Sequence, residues 1–267
     1  MNWNLWSTQI DAIIRLELKR YWLGRKWLGS YLLALAPVAL LFMRALVGRK
    51  GESVQSLNII YAVLFQGFIL RFAIFFSCMT IFSQMFRGEI LEKTLHYYLL
   101  TPVRRDVLAL GKYMAGLIAS MAMFSFCTIA TYLLMFLPST AAAGFFSTGP
   151  GLPHLARYVA VAMLGCVGYG AVFLLVGLYT KNPVAPALGI AAWEAFNFIL
   201  PSALQKISVV HYLQSLCPVS PPRSPFAVLT DPTSPFISIP SLLVFTTCIL
   251  LLVGLKIRKT EITYSAD

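Results

Sequence analysis

Six long apolar stretches, parted by short segments that hold most of the charge, limit what this chain can become. They cover residues 27–47, 57–86, 107–137, 155–180, 184–200 and 236–255. An α-helix needs about 20 apolar residues to cross the hydrocarbon layer of a bilayer. Five of the stretches meet that length, and the fifth, 184–200, stands at the short end of the range. The second and third exceed it, so those helices tilt or project beyond the hydrocarbon. The fold class that follows is an all-α integral membrane protein with six transmembrane helices. Composition agrees: 58% of residues are apolar and 12% charged, against roughly 45–50% and 25% in soluble domains. Of 267 residues, too few remain outside the spans for a separate soluble domain, so residues 1–267 read as a single membrane domain.

The formal net charge is +11, which raises nucleic acid as a partner. The distribution excludes it, because the basic residues sit at the edges of apolar segments, where anionic headgroups and the positive-inside bias place them. With an even number of spans both termini share a side. On that side lie Arg15, Lys19, Arg20, Arg25, Lys26, Lys256, Arg258 and Lys259, then Arg87, Lys93, Arg104, Arg105 and Lys112 around the second loop, and Lys181. The other side has Arg44, Arg49, Lys50, Arg157, Lys206 and Arg223. Fourteen against six predicts cytoplasmic termini.

Two further segments have their own character. Within residues 1–26, Trp6, Ile10, Ile13, Ile14, Leu18 and Tyr21 recur at helical spacing, with Asp11, Arg15 and Lys19 opposite. This predicts an amphipathic helix lying in the membrane interface. Residues 201–235 are rich in proline yet hold Ile207, Val209, Val210, Tyr212 and Leu213. They are too apolar for a free loop and too broken for a span, which predicts an outer re-entrant segment before the sixth span. The five cysteines show no metal-ligand spacing and read as small apolar filler.

No catalytic constellation is present. A phosphate-cradling G-x-x-x-x-G-K-[ST] loop is missing; the nearest text, Leu110-Gly111-Lys112-Tyr113, lacks the upstream glycine and the hydroxyl. His96, His154 and His211 are scattered, and no metal site is expected. The most informative segment is 87–105, between the second and third spans. Glu89 and Lys93 form an i, i+4 pair in the favourable order. Leu91, Leu95 and Tyr98 line another face, and Thr101-Pro102 stops the helix. On the residues alone this is either a solvated loop with an ion pair or a short amphipathic lever that takes force from a soluble partner.

Glu89, Glu92-Lys93-Thr94-Leu95, Leu99-Leu100-Thr101-Pro102-Val103-Arg104-Arg105 and Leu110-Gly111-Lys112-Tyr113 resemble the segment after the second span of ABC-2-type permeases, the membrane subunits of a class of ATP-binding-cassette exporters. Lys93 stands where that family often has a small or polar residue. The resemblance implies a multi-pass plasma-membrane protein, bacterial inner membrane in style, that forms the substrate pathway and has no enzymatic activity of its own. It implies a dimer with a second permease copy or homologue, and a soluble ABC ATPase subunit that binds ATP and magnesium, with no cofactor on this chain. It also implies that 87–105 is a cytoplasmic coupling helix, with Glu89, Glu92, Lys93, Leu95, Arg104 and Arg105 at the ATPase contact. The transported substrate is not named by the residues. Two other classes compete: a membrane-embedded lipid-modifying enzyme, which calls for acidic or histidine clusters at a membrane face, and an uncoupled scaffold or channel.

Three charges within the membrane call for an account. Arg44 is near an end and snorkels. Arg71 is midway along the second span, and Glu194 is inside the fifth with Asn197 near it. Arg71 and Glu194 fall at similar depth, so the expectation is an ion pair, a polar patch on the substrate path, or both. Gly165, Gly168, Gly170 and Gly177 predict close helix packing on the fourth span, within the subunit or at a dimer seam.

Overall fold

The computed structural model describes residues 3–24, 27–47, 53–91, 105–139, 142–147, 149–180, 182–196, 205, 208–219 and 233–259. Among these every regular element is helical: α1 (Trp3–Leu23), α2 (Leu28–Val47), α3 (Val54–Leu64), a π-helical stretch (Phe65–Ile74), α4 (Phe75–Leu91), α5 (Arg105–Phe136), α6 (Ala142–Ser147), α7 (Gly151–Tyr179), α8 (Val184–Ala195), α9 (Val209–Leu216) and α10 (Pro235–Lys259). Five helices are long and apolar enough to cross a membrane: Leu28–Val47, Val54–Gly88, Arg105–Phe136, Gly151–Tyr179 and Pro235–Ile257. They answer to the first, second, third, fourth and sixth apolar stretches. The second is one rod built from α3, the π-helical stretch and α4.

The layout departs from expectation in two places. The fifth stretch gives α8, a helix of only 12 residues. At 1.5 Å per residue it rises about 18 Å, short of a hydrocarbon layer of about 30 Å. Phe196 already lies outside the helix, and 197–200, Asn197 included, lie outside the described residues. The second departure is at 87–105. A separate helix was expected to begin at Arg87, but α4 runs on to Leu91, so Arg87, Gly88 and Glu89 extend the second span. Nothing in Arg87–Leu91 breaks a helix, since Gly88 lowers propensity without ending it.

α7 is the centre of the bundle, packed on α4, α5 and α10. Its glycines make this possible. A Cβ at Gly177 would lie 2.6 Å from the Ser83 carbonyl oxygen of α4, and one at Gly168 2.9 Å from Val209 of α9. The Phe82 ring is wedged between two glycines, Gly116 of α5 and Gly170 of α7, each of whose Cβ atoms would come within 2.7 Å of it. Gly168, Gly170 and Gly177 thus serve close packing within the chain, whereas Gly165 meets its neighbours only at 3.5 Å. Toward the opposite end of the bundle an aromatic cluster of Tyr61, Phe65, Tyr132, Phe136 and Tyr158 closes the core.

α1 is amphipathic as its spacing predicts, and its apolar face lies on α5. A Cβ at Gly111 would sit 3.0 Å from Ile13, so the two helices nearly touch there. Tyr21 is buried at the end of α1 against the rings of Trp27 and Tyr31. Asp11 and Arg15 pair at 2.8 Å on the exposed face. α9, from the proline-rich segment, is packed against α7, α10 and the π-helical stretch, with Val209, Val210, Leu213 and Gln214 buried.

Candidate functional site

Two charged clusters stand out, one at the α1 end of the bundle and one midway along the spans. The first begins with Arg105, which opens α5 and donates from Nη1 to the Ile257 carbonyl oxygen of α10 at 3.4 Å. Two turns further on, Lys112 is fully buried and donates its ammonium to the Glu17 carboxylate of α1, itself 6% exposed. The Phe86 ring of α4 lies 5.7 Å from Lys112 Nζ, within range of a cation–π contact. Removing two charges from water is unfavourable unless they meet, and here they meet across the seam between α1 and α5. Tyr113 donates to the Val167 carbonyl oxygen at 2.9 Å and ties α5 to α7. One short segment of α5 thus joins α1, α7 and α10.

The second cluster centres on Glu194, at the end of α8. Tyr169 of α7 donates to Glu194 Oε2 at 2.5 Å, and the Val209 N–H donates to Oε1 at 3.2 Å. Val210 offers a second backbone N–H to the same carboxylate. Ser208, at the position that normally caps a helix, makes no side-chain cap bond to α9. Glu194 takes that place from a different helix. A carboxylate at a helix N-terminus satisfies orphan N–H groups and complements the helix dipole. The N-terminus of α9 is therefore chemically closed, as polar backbone groups within a membrane bundle must be. Past the other end of α9, Gln66 donates from Nε2 to the Val219 carbonyl oxygen at 3.1 Å.

Of the two readings open for Arg71, on the π-helical stretch, one has it pair with Glu194. It does not: among the described residues Arg71 forms no ion pair, and its Nε and Nη1 are buried with no hydrogen-bond partner. Glu194 is near enough to attract it electrostatically, not to touch it. The reason is the Tyr169 hydroxyl and the α9 N–H groups, which already occupy the carboxylate.

Of the other residues expected at the ATPase contact, Glu92, Lys93, Leu95 and Arg104 lie outside the described residues. Glu89 is on α4, where its side chain is not described. Arg105 is placed, and faces α10. Glu17 was missed from the sequence, although a signal existed: it falls on the same helical stripe as Ile10, Ile13, Ile14 and Tyr21, and a charge on an apolar face calls for a partner. Tyr169 carries no such signal. Among the described residues no group of three or more His, Cys, Asp or Glu side chains is arranged to hold a metal ion, and the five cysteines are free thiols.

The family described as ABC-2 family transporter protein matches residues 17–194, roughly two thirds of the chain. The chain belongs to that family and is the membrane component of an ABC transporter. The matched region starts on α1 at Glu17 and ends at Glu194, so it takes in Glu17, Lys112, Arg71, Tyr169 and Glu194 but neither α9 nor α10. No curated protein matches the chain.

Proposed function

We propose that this chain is the substrate-pathway subunit of an exporter, driven by a separate soluble ABC ATPase that binds ATP and magnesium. It works beside a second permease copy or homologue, with its termini and residues 87–105 on the cytoplasmic side and 138–154 and 201–235 outside. In this reading the apolar stretch 184–200 is the fifth crossing, and the segment holding α9 is re-entrant. The observation that carries the reading is the family match, together with the sequence's lack of a phosphate-cradling loop. A transporter subunit without a nucleotide site receives its energy through a contact, and residues 92–104 join the two longest spans, Val54–Gly88 and Arg105–Phe136.

α1 and α5 support a mechanical role for that contact. Lys112, Gly111 and Arg105 connect the start of α5 to α1 and α10. A push on the 92–104 segment then moves three helices, not one. Co-purification with the ATPase and hydrolysis in proteoliposomes test this. Glu89→Ala with Leu95→Ala should weaken docking or uncouple hydrolysis from transport while membrane insertion persists. Full docking and full coupled turnover in that double variant would remove 87–105 from the contact. Labelling of a cysteine placed at position 89 from outside intact cells would reverse the orientation.

A further inference from the structure

Arg71 is a mid-span charge that the fold leaves without a hydrogen-bonded counter-charge among the described residues. The rod Val54–Gly88 has 35 residues, and Arg71 is at its middle. Some 15 Å of hydrocarbon then lies on either side, beyond the reach of an arginine side chain, so snorkelling does not explain it. Two of its guanidinium nitrogens are buried and unpartnered. Glu194 is spoken for by Tyr169 and by the N-terminus of α9. Guanidinium presents a planar fork that matches carboxylate and phosphate.

The surroundings say what kind of anion fits. Gly67 precedes Arg71 by about one turn and borders open space, since a Cβ there would meet nothing within 4 Å. Along the same stretch Phe68, Phe72 and Phe76 form a ladder of rings, with successive centroids 6.2 Å apart. Phe68 is 37% and Phe72 52% exposed, so the ladder has an open edge. The π-helical stretch holds Gly67, Phe68, Arg71 and Phe72, with Phe76 just beyond it on α4, and such segments gather at functional sites. We propose that Arg71 receives the phosphate or carboxylate of an anionic amphiphile, that the gap at Gly67 admits this group, and that the Phe68–Phe72–Phe76 edge carries its apolar tail. The inference rests on the transporter reading above, for it names the substrate class that subunit would move.

The test uses the full-length permease purified in dodecyl maltoside, without the ATPase, so that a failure of energy coupling cannot masquerade as a failure of binding. Thermal stabilisation is titrated with dodecyl phosphate, with dodecanol and with inorganic phosphate. The unmodified protein should be stabilised saturably by dodecyl phosphate and far less by dodecanol. Arg71→Gln should raise the half-saturating concentration about tenfold or more, the usual weight of a charge-assisted hydrogen bond, and Arg71→Lys should restore most of it. Gly67→Phe fills the gap without touching the core, so it tests the site even if Arg71→Gln fails to fold; it should abolish saturable binding. Stabilisation by inorganic phosphate alone would assign the site to a soluble anion, leaving Arg71 as receptor and overturning the amphiphile. Equal responses of the unmodified protein and Gly67→Phe, or of dodecyl phosphate and dodecanol, would overturn the proposal altogether.

Discussion

Glu17–Lys112 and Arg71–Glu194 are each a pair of opposite charges on separate helices, yet only the first closes. At the α1 end, the ammonium and the carboxylate meet directly across the seam, and the helices approach until Gly111 meets Ile13. Midway along the bundle, Glu194 is drawn instead to backbone N–H groups that have no other way to be satisfied. The difference teaches that depth and charge do not decide pairing. The number of unsatisfied backbone groups nearby does, and the start of a helix supplies them.

The comparison breaks most readily at the closed pair. Lys112→Met leaves Glu17 buried and alone and should remove about 3–5 kcal/mol of stability, read as a lower melting temperature of the detergent-purified permease. Adding Glu17→Leu should return most of that loss, and purely additive effects would show that the two do not act together. Next in size is Glu194→Ala. It orphans the Tyr169 hydroxyl and the α9 N–H groups, at about 1–3 kcal/mol for each buried group left unsatisfied. Hydrogen exchange of Val209 and Val210 should rise in that variant; unchanged protection would mean that Glu194 does not cap α9.

Gly177→Ala, at the tight end of α7, forces a Cβ into the Ser83 backbone and should lose about 1–3 kcal/mol. Gly165→Ala, facing Leu70, Ile74 and Leu213 at 3.5 Å, should be nearly neutral. A reversed order in melting temperature would contradict the packing described for α7. The smallest effect belongs to the open pair: Arg71→Leu should shift stability by less than about 1 kcal/mol, since no hydrogen bond is lost and apolar replacement of a buried charge is often neutral. A loss as large as that of Lys112→Met would mean that Arg71 and Glu194 pair after all.

Much of the bundle was legible in the sequence because apolar length is a direct reading of span length. The five crossing helices follow their apolar stretches closely, and the i, i+3, i+4 stripe of α1 foretold its amphipathic face. Gly168, Gly170 and Gly177 foretold close packing. What failed to show was whatever depends on a second element. The end of α8 at Ala195 is set where Glu194 reaches across to α9, a contact between residues 15 positions apart. The π-helical register of Phe65–Ile74 leaves no mark in a run of apolar residues with a single Gly67. Similar depth correctly put Arg71 and Glu194 in one neighbourhood, yet the Tyr169 hydroxyl that diverts the carboxylate lies on α7, with nothing in its own sequence context to announce it. The expected contacts of Glu92, Lys93, Leu95 and Arg104 fall outside the described residues.

The Phe82 wedge bears on how such a protein is made. Its slot has two walls, Gly116 on α5 and Gly170 on α7, and the ribosome delivers the ring first, one wall next and the other last. Until α7 has been synthesised, the α4–α5 hairpin holds a half-housed aromatic ring and has no reason to settle into its final crossing. Assembly in the bilayer is therefore gated by the arrival of the fourth apolar stretch, and a chain truncated before Gly170 should be cleared by proteases while one extending beyond it persists.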